Sequence, residues 1–267
     1  MLNKNQGGFS LVELMIASVL GLVIISGAIS IMLSTRQNTQ YQDGFTSLQE
    51  NSRVAGRLLT NTIRMAGFCN NPDSGERCLS LYVDRNQKVI EGRDGGEGRE
   101  DRASWPDEVT VRFQADGETL DCLGNQPGVG QMITTRFFIQ AVDGRGNEID
   151  YSASPSAKYE LRCSNGVTTE TVVEGVENLQ IHYGIDVDGD LIAERYVRAN
   201  EISDDENATT WKDVVTVSMS FLVNSVDPAT GTETAKEFDL EGTTIEVNDA
   251  RLRLQYDLKI QLRNRAL

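Results

Sequence analysis

Gly7-Gly8-Phe9-Ser10-Leu11-Val12-Glu13-Leu14 opens the informative part of this chain, and residues 14–33 follow without a single formal charge. A helix rises ~1.5 Å per residue, so that run spans ~30 Å, the thickness of a bilayer's hydrocarbon core. The stretch is long and apolar enough to cross a membrane. Glu13 stands at its very edge, where a charge at membrane depth costs ~2.5–3.5 kcal/mol or more unless it is partnered or interfacial. The acid needs a reason beyond its own solvation.

An ordinary secretory signal would use Lys4 as its basic region, residues 14–25 as its apolar region and a small residue such as Ala28 for cleavage. Two features disfavour it. An acid heads the apolar run, and that run exceeds the ~7–15 residues such a signal uses. Cleavage before the apolar segment, after Gly8, leaves the hydrophobic helix on the mature protein. Here the segment GFSLVELMIA resembles the class III signal of type IV pilins and type II secretion pseudopilins, with Gly before the cut, Phe after it and Glu as the fifth mature residue. The resemblance implies cleavage between Gly8 and Phe9 by an inner-membrane prepilin peptidase, and N-methylation of Phe9. It further implies assembly into a fibre in which Glu13 pairs with the Phe9 amine of a neighbour. In a low-dielectric fibre core that attraction is stronger than in water, and either charge left alone is costly. The plainer reading of Glu13 is an incidental acid at the interface.

The chain has 267 residues and a formal net charge of −15. A sequence pI near 4.5 argues against direct nucleic-acid binding and against an anionic membrane surface, both of which call for a basic face. Four cysteines, Cys69, Cys78, Cys122 and Cys163, are not grouped as metal-ligand pairs, and His182 is the lone histidine. With an export signal they read as two disulfides in an oxidising compartment rather than a zinc site. Three pairings are open. Cys69–Cys78 is favoured because the loop between them holds Asn71-Pro72-Asp73-Ser74-Gly75 and can turn back. Cys122–Cys163 would then tie two short strand-like segments, Leu120-Asp121-Cys122-Leu123 and Tyr159-Glu160-Leu161-Arg162-Cys163.

Residues 34–66 contain no proline, and Tyr41, Phe45, Leu48, Ala55, Leu59, Ile63 and Ala66 recur mostly at helical intervals. The spacing predicts an amphipathic continuation of the helix, stopped at Gly67. Beyond Cys78 the pattern becomes strand-like at residues 79–83, 109–113, 135–142, 176–183, 214–223 and 252–262, each rich in β-branched or aromatic residues. Asp94-Gly95-Gly96, Asp143-Gly144-Arg145-Gly146 and Asp227-Pro228 punctuate them as turns, and residues 91–102 read as an exposed loop. A helix followed by a strand-rich head is α+β. The expected organisation is a leader over 1–8, a membrane-spanning half-helix over 9–33, an amphipathic half-helix over 34–67 and a β-rich periplasmic or extracellular head over 68–267.

Several later segments are similar to PilW-type minor pilins of the type IVa pilus. They are Arg64-Met65-Ala66-Gly67-Phe68-Cys69, Asp107-Glu108-Val109-Thr110-Val111-Arg112-Phe113, the run from Glu174 through Asp186, and Leu262-Arg263-Asn264-Arg265. The length and spacing of these segments favour that family over the smaller-headed minor pseudopilin GspJ of type II secretion. The resemblance implies a non-enzymatic subunit anchored in the bacterial inner membrane, with its head in the periplasm before assembly and in the extracellular fibre or its tip afterwards. Its implied partners are other minor pilins, the major pilin and, at the tip, an adhesin. The behaviours it would support are motility, adhesion or DNA uptake.

One local motif in the head carries chemistry of its own. Asp186, Asp188 and Asp190 alternate around Gly189, with Glu194 following. Alternate carboxylates in such a turn can converge on calcium, which takes oxygen ligands. Leu191 stands where an EF-hand loop wants Gly and Val197 where it wants a bidentate Glu. A metal-free acidic hairpin turning at Asp188-Gly189 fits the same residues. No cofactor is required by either reading, and no nucleophile signature or phosphate-cradling loop accompanies His182. A different class of function remains open: an anchored module that binds a ligand through its head, with the helix serving only for display.

Overall fold

The computed structural model describes residues 10–69, 88–95, 104–151, 157–203, 209–229 and 233–265. Gly8, Phe9, Cys78 and the strand expected over 79–83 lie outside the described residues, as does most of the loop expected over 91–102.

A single helix, α1 (Leu11–Arg64), carries the apolar run and its continuation without a break. At ~1.5 Å per residue it is ~80 Å long. Its lower half packs against no other described element: the most apolar window, with mean hydropathy 2.5, contains no buried residue. Within that half the hydroxyls of Ser18, Ser26 and Ser30 donate to Met15, Val23 and Ser26 carbonyls at 2.9–3.0 Å. Such back-bonding leaves no side-chain donor unsatisfied in an apolar medium. The upper half is amphipathic. Leu48, Ser52, Ala55, Gly56, Leu59 and Ile63 form its buried face. Tyr41 and Phe45 fit the same periodicity but are 47% and 42% exposed. The head reaches down only to Gly44, whose missing Cβ would lie 2.8 Å from Ala229.

Twelve strands are seen among the described residues. β1 (Ile90–Arg93), β2 (Glu108–Gln114), β3 (Met132–Val142), β5 (Lys158–Ser164) and β6 (Thr169–Glu174) form one antiparallel sheet in that order, with β4 (Glu148–Ile149) paired to the far end of β3. β7 (Val176–Ile185), β8 (Arg195–Val197), β9 (Val214–Asn224) and β12 (Arg253–Gln261) form a second sheet in the order β12-β9-β7-β8. β10 (Thr234–Leu240) and β11 (Thr243–Asp249) make a separate hairpin. Between β6 and β7 the chain passes from one sheet to the other at Gly175. Its φ of +80° and a Cβ position 2.6 Å from the Asn224 carbonyl leave room for no side chain.

Both sheets and α1 share one core, built from residues such as Leu59, Ile63, Phe137, Leu161, Leu179 and Phe221. Gly67 ends the helix as expected, in the left-handed region, and its N–H donates to the Arg112 carbonyl of β2 at 3.0 Å. The Asn264 amide donates to the Arg64 and Ala66 carbonyls at 3.1 and 3.3 Å, so the C-terminal segment satisfies helix-end acceptors. The tail of the chain thereby locks the helix to the head.

Three expectations are corrected. The segment around Cys122 is a turn, not a strand, because the Asp121 carboxylate accepts the Leu123 and Asn125 N–H groups at 2.9 and 2.8 Å and outcompetes a ladder. Glu91 to Arg93 belong to β1, not to an exposed loop, and Asp94 is buried. The β7–β8 connection spans 186–194 rather than turning tightly at Asp188-Gly189, and the strand resumes at Arg195, beyond Leu191-Ile192.

Candidate functional site

Ser10 caps α1: its hydroxyl accepts the Glu13 N–H at 3.2 Å. Glu13 therefore sits on the first turn, beside the free N–H groups and positive end of the helix, and it is exposed with the apolar residues around it. Helix-start chemistry is thus a second physical reason for an acid here. The pattern Ser10-Leu11-Val12-Glu13 is a capping-box signature that the sequence already displays. Gly8 and Phe9, the residues expected at the cleavage and methylation point, fall outside the described residues.

The four acidic residues do converge. One oxygen from each of Asp186, Asp188, Asp190 and Glu194 lies within 4.8 Å of the others. Calcium–oxygen distances of ~2.3–2.6 Å put opposed ligands about 5 Å apart, so the spacing fits that ion. The loop also holds itself. Asp186 accepts the Gly189 and Leu191 N–H groups at 2.6 and 3.0 Å, and Glu194 accepts the Val187 N–H at 2.7 Å. Desolvation, the largest single influence, raises the Asp186 pKa, but the N–H donors of Gly189 and Leu191, with those of Asp190 and Asp188, together outweigh it and hold the carboxyl below its usual range. Leu191 takes a positive φ of 67° to close the loop.

Cys122 and Cys163 are joined, with Cα atoms 6.3 Å apart. No described cysteine is free. The pairing Cys69–Cys78 involves a residue outside those described. His182 Nδ1 lies 3.2 Å from Glu241, which also accepts the Ser218 hydroxyl at 2.7 Å. These contacts pin the tip of the β10–β11 hairpin to the second sheet.

Two buried carboxylates escaped the sequence reading. Asp94 accepts the Ala199 and Asn200 N–H groups, and Asp107 accepts those of Gly95 and Ile181 at 3.0 and 2.8 Å. Asp94 thus ties the end of β1 to the turn that follows β8, and Asp107 ties the entry to β2 to β7. Burial pushes the Asp107 pKa up to about 7, against its two N–H donors and with help from nearby Asp94. The unfolded chain then gives up this proton near pH 4 while the folded chain keeps it to about 7, so stability from this group falls as pH rises across that window. Melting temperatures followed from pH 4 to 8 should show this decline, and Asp107→Asn should flatten it. An unchanged slope in the variant would remove Asp107 as the cause. Asp121 and Asp249 act in the opposite sense. Burial raises both, yet Asn125 and Asn165 at the first and Arg253 at the second bring them below the usual range. Their contribution is present above pH ~4 and is lost as pH falls through their lowered values.

A helix with an unburied apolar half, an acid on its first turn and a two-sheet head is the setting for the comparisons with known proteins. The family described as Type IV Pilus-assembly protein W (PilW) matches residues 145–264, from just before β4 to the C-terminal segment on the helix end. The prokaryotic N-terminal methylation motif matches residues 3–29. The chain is PilW-like, similar to type IV pilins at its N-terminus and in its head. No curated protein matches it. Among solved structures, a type IV-like pilin from Thermus thermophilus is similar at a TM-score of 0.45 and 14% identity, over 82% of this chain and 97% of that one. The PilW match covers all of the second sheet, whereas β1 to β3 and the cavity beside them lie mostly outside it. The family is one of structural pilins, and its methylation motif implies processing by a prepilin peptidase and assembly with other pilins.

Proposed function

We propose that this PilW-like pilin is a low-abundance, non-enzymatic subunit that joins other minor pilins in a membrane-embedded priming complex and starts or caps the fibre. The observation that carries this reading is α1 itself, whose apolar half is unburied over the length of a bilayer while its upper half holds a large head. Such a surface calls for lipid before assembly and for neighbouring helices afterwards. In this reading the head lies in the periplasm before assembly and at the fibre tip after it. A broad, loop-rich head suits a terminal position better than close lateral repetition along a fibre. Crosslinking of assembled pili followed by mass spectrometry tests the placement. Contacts with other minor pilins support it, and contacts only with major-pilin neighbours on both faces reject it.

Processing has a simpler test. The mature chain should begin at Phe9 with a methylated amine, read by N-terminal peptide mass spectrometry. A start near Ile29 would mean an ordinary signal peptide and no retained helix.

The acidic β7–β8 loop has its own readout. A calcium ion bound by Asp186, Asp188, Asp190 and Glu194 stabilises the folded chain by mass action, so melting temperature should rise with calcium. Magnesium should do less, because it demands a compact octahedral shell and dehydrates reluctantly. Asp188→Asn and Asp190→Asn should abolish the shift. No shift in the parent up to millimolar calcium leaves the loop as an acidic hairpin.

A further inference from the structure

The first sheet has a gap. β2 pairs with β3 from Gln114↔Met132 to Val109↔Phe137, and β4 resumes on the same side at Ala141↔Ile149. Opposite, β5 runs unbroken along residues 136–142 of β3. Residues 138–140 thus face no strand on one side among the described residues. The Arg112 N–H donates to Val89, on the β1 side of β2, so odd-numbered residues of β2 turn towards β3. By the alternation of an antiparallel ladder, Ile139 is then the β3 residue whose N–H and C=O point into the gap. Asp107, which would have continued β2, instead donates its N–H to the Leu179 carbonyl at 2.7 Å.

A cavity of about 530 Å³ opens on this gap. One wall is aromatic, with the Trp105 and Tyr151 ring centroids 5.9 Å apart. Tyr151 is held in place, since its hydroxyl donates to the Glu177 carbonyl at 2.9 Å and accepts from the Asn178 amide at 2.8 Å. Phe138 also lines the cavity, under the Arg136 guanidinium at 4.6 Å. Arg136 pairs with Glu108 at 3.5 Å; Arg93 adds a positive charge, and Asp94 and Asp150 add two negative ones, of which Asp94 is turned to the Ala199 and Asn200 N–H groups. Gln140 spends its amide N–H groups on the Ala141 and Ile149 carbonyls, which leaves its Oε1 as an acceptor.

We propose that this cleft binds a neutral saccharide, its ring against Trp105 and its hydroxyls bonded by Arg136, Glu108, Gln140 and the Ile139 backbone. An aromatic face takes the apolar C–H face of a sugar ring, while planar donors and acceptors at fixed spacing match neighbouring hydroxyls. Two guanidinium groups face three carboxylates, one of which, Asp94, is spent on backbone donors, so the remaining charges balance and favour neither an anion nor a cation alone. An added peptide strand fits poorly: the gap is three residues, ~10 Å, and is closed at both ends by β2 and β4. The proposal does not depend on the assembly role of α1.

The experiment uses the full chain in a detergent without a sugar headgroup, with lactose, maltose and chitobiose as probes and inorganic phosphate and triglycine as competitors. Saturation-transfer NMR should show at least one disaccharide bound, and calorimetry should find Trp105→Ala weakened by about tenfold or more, roughly 1.4 kcal/mol. Arg136→Gln, at an exposed position, should weaken binding without disturbing the core and guards against misfolding of the Trp105 variant. Absence of binding by all three sugars overturns the proposal. So does binding indifferent to both substitutions, or saturation of the cleft by phosphate or triglycine instead.

Discussion

Glu13→Ala is expected to leave membrane insertion, leader removal and head folding intact while reducing recovery in sheared pili by about a hundredfold. Two effects compete at this position, and their sizes decide between them. An acid on the first turn of an exposed helix contributes ~0.3–1 kcal/mol through the helix dipole. Removing one partner of a buried ion pair costs ~3–5 kcal/mol, because the remaining charge is left uncompensated. The second effect exists only once subunits pack together, so its loss should appear in assembly and not in the isolated chain. The head should be indifferent, since Leu48, the first buried residue on α1, lies 35 positions or ~50 Å further along the helix.

Glu13→Gln separates the two roles. Glutamine keeps the shape and can still serve a capping box with Ser10, but it carries no charge. If pairing with a neighbour's amine is what matters, Gln should fail as Ala does. Recovery of pilus incorporation by Gln, at matched membrane levels, would assign Glu13 to helix capping. Equal recovery of the Ala variant and the parent would remove the assembly role altogether.

What could be read from the sequence follows from how locally each element is encoded. α1 was legible because an uncharged run the length of a bilayer has few other structural solutions, and its upper half repeats at helical spacing. β2, β3, β7, β9 and β12 were legible because Val, Ile, Thr and aromatic residues recur along them. β10 was not: Thr234–Leu240 is exposed except at Phe238 and Leu240 and carries Lys236, Glu237 and Asp239 among few apolar side chains. It is held by pairing with β11 and by the small cluster of Leu222, Leu240 and Ile245, contacts that no local pattern announces. The turn at Cys122 was misread for the opposite reason. Leu120 and Leu123 resemble a strand fragment, while the deciding group is the Asp121 carboxylate, whose partners include Asn165 at 2.9 Å. The convergence of the acidic loop was legible because its four carboxylates are sequence neighbours. The saccharide cleft was hidden because Trp105, Arg136 and Tyr151 meet only through the register of β2 and β4 on β3.

Loss of the Cys122–Cys163 bridge should cost the head about 4 kcal/mol by the chain-entropy estimate for a loop of its length. The bridge closes a separation of 41 residues, and that segment includes all of β3 and β4. Cys163 is fully buried on β5, while Cys122 lies in the turn after β2. A chain without the bridge gains its freedom in the unfolded state. In the folded state the Asp121–Asn165 hydrogen bond still ties the same turn to the β5–β6 hairpin, so the native geometry should persist. The double variant Cys122→Ser, Cys163→Ser should therefore fold with an unchanged circular dichroism spectrum and melt about 10 °C lower, at roughly 2–4 °C per kcal/mol for a head of this size. A melting temperature equal to that of the parent would mean that the turn is already ordered in the denatured chain, or that the hydrogen bonds of Asp121 alone fix it. Non-reducing peptide mapping of the parent settles which cysteines are joined before the comparison is made. Recovery of Cys122 linked to Cys69 or Cys78 would contradict the pairing on which the expected loss is calculated.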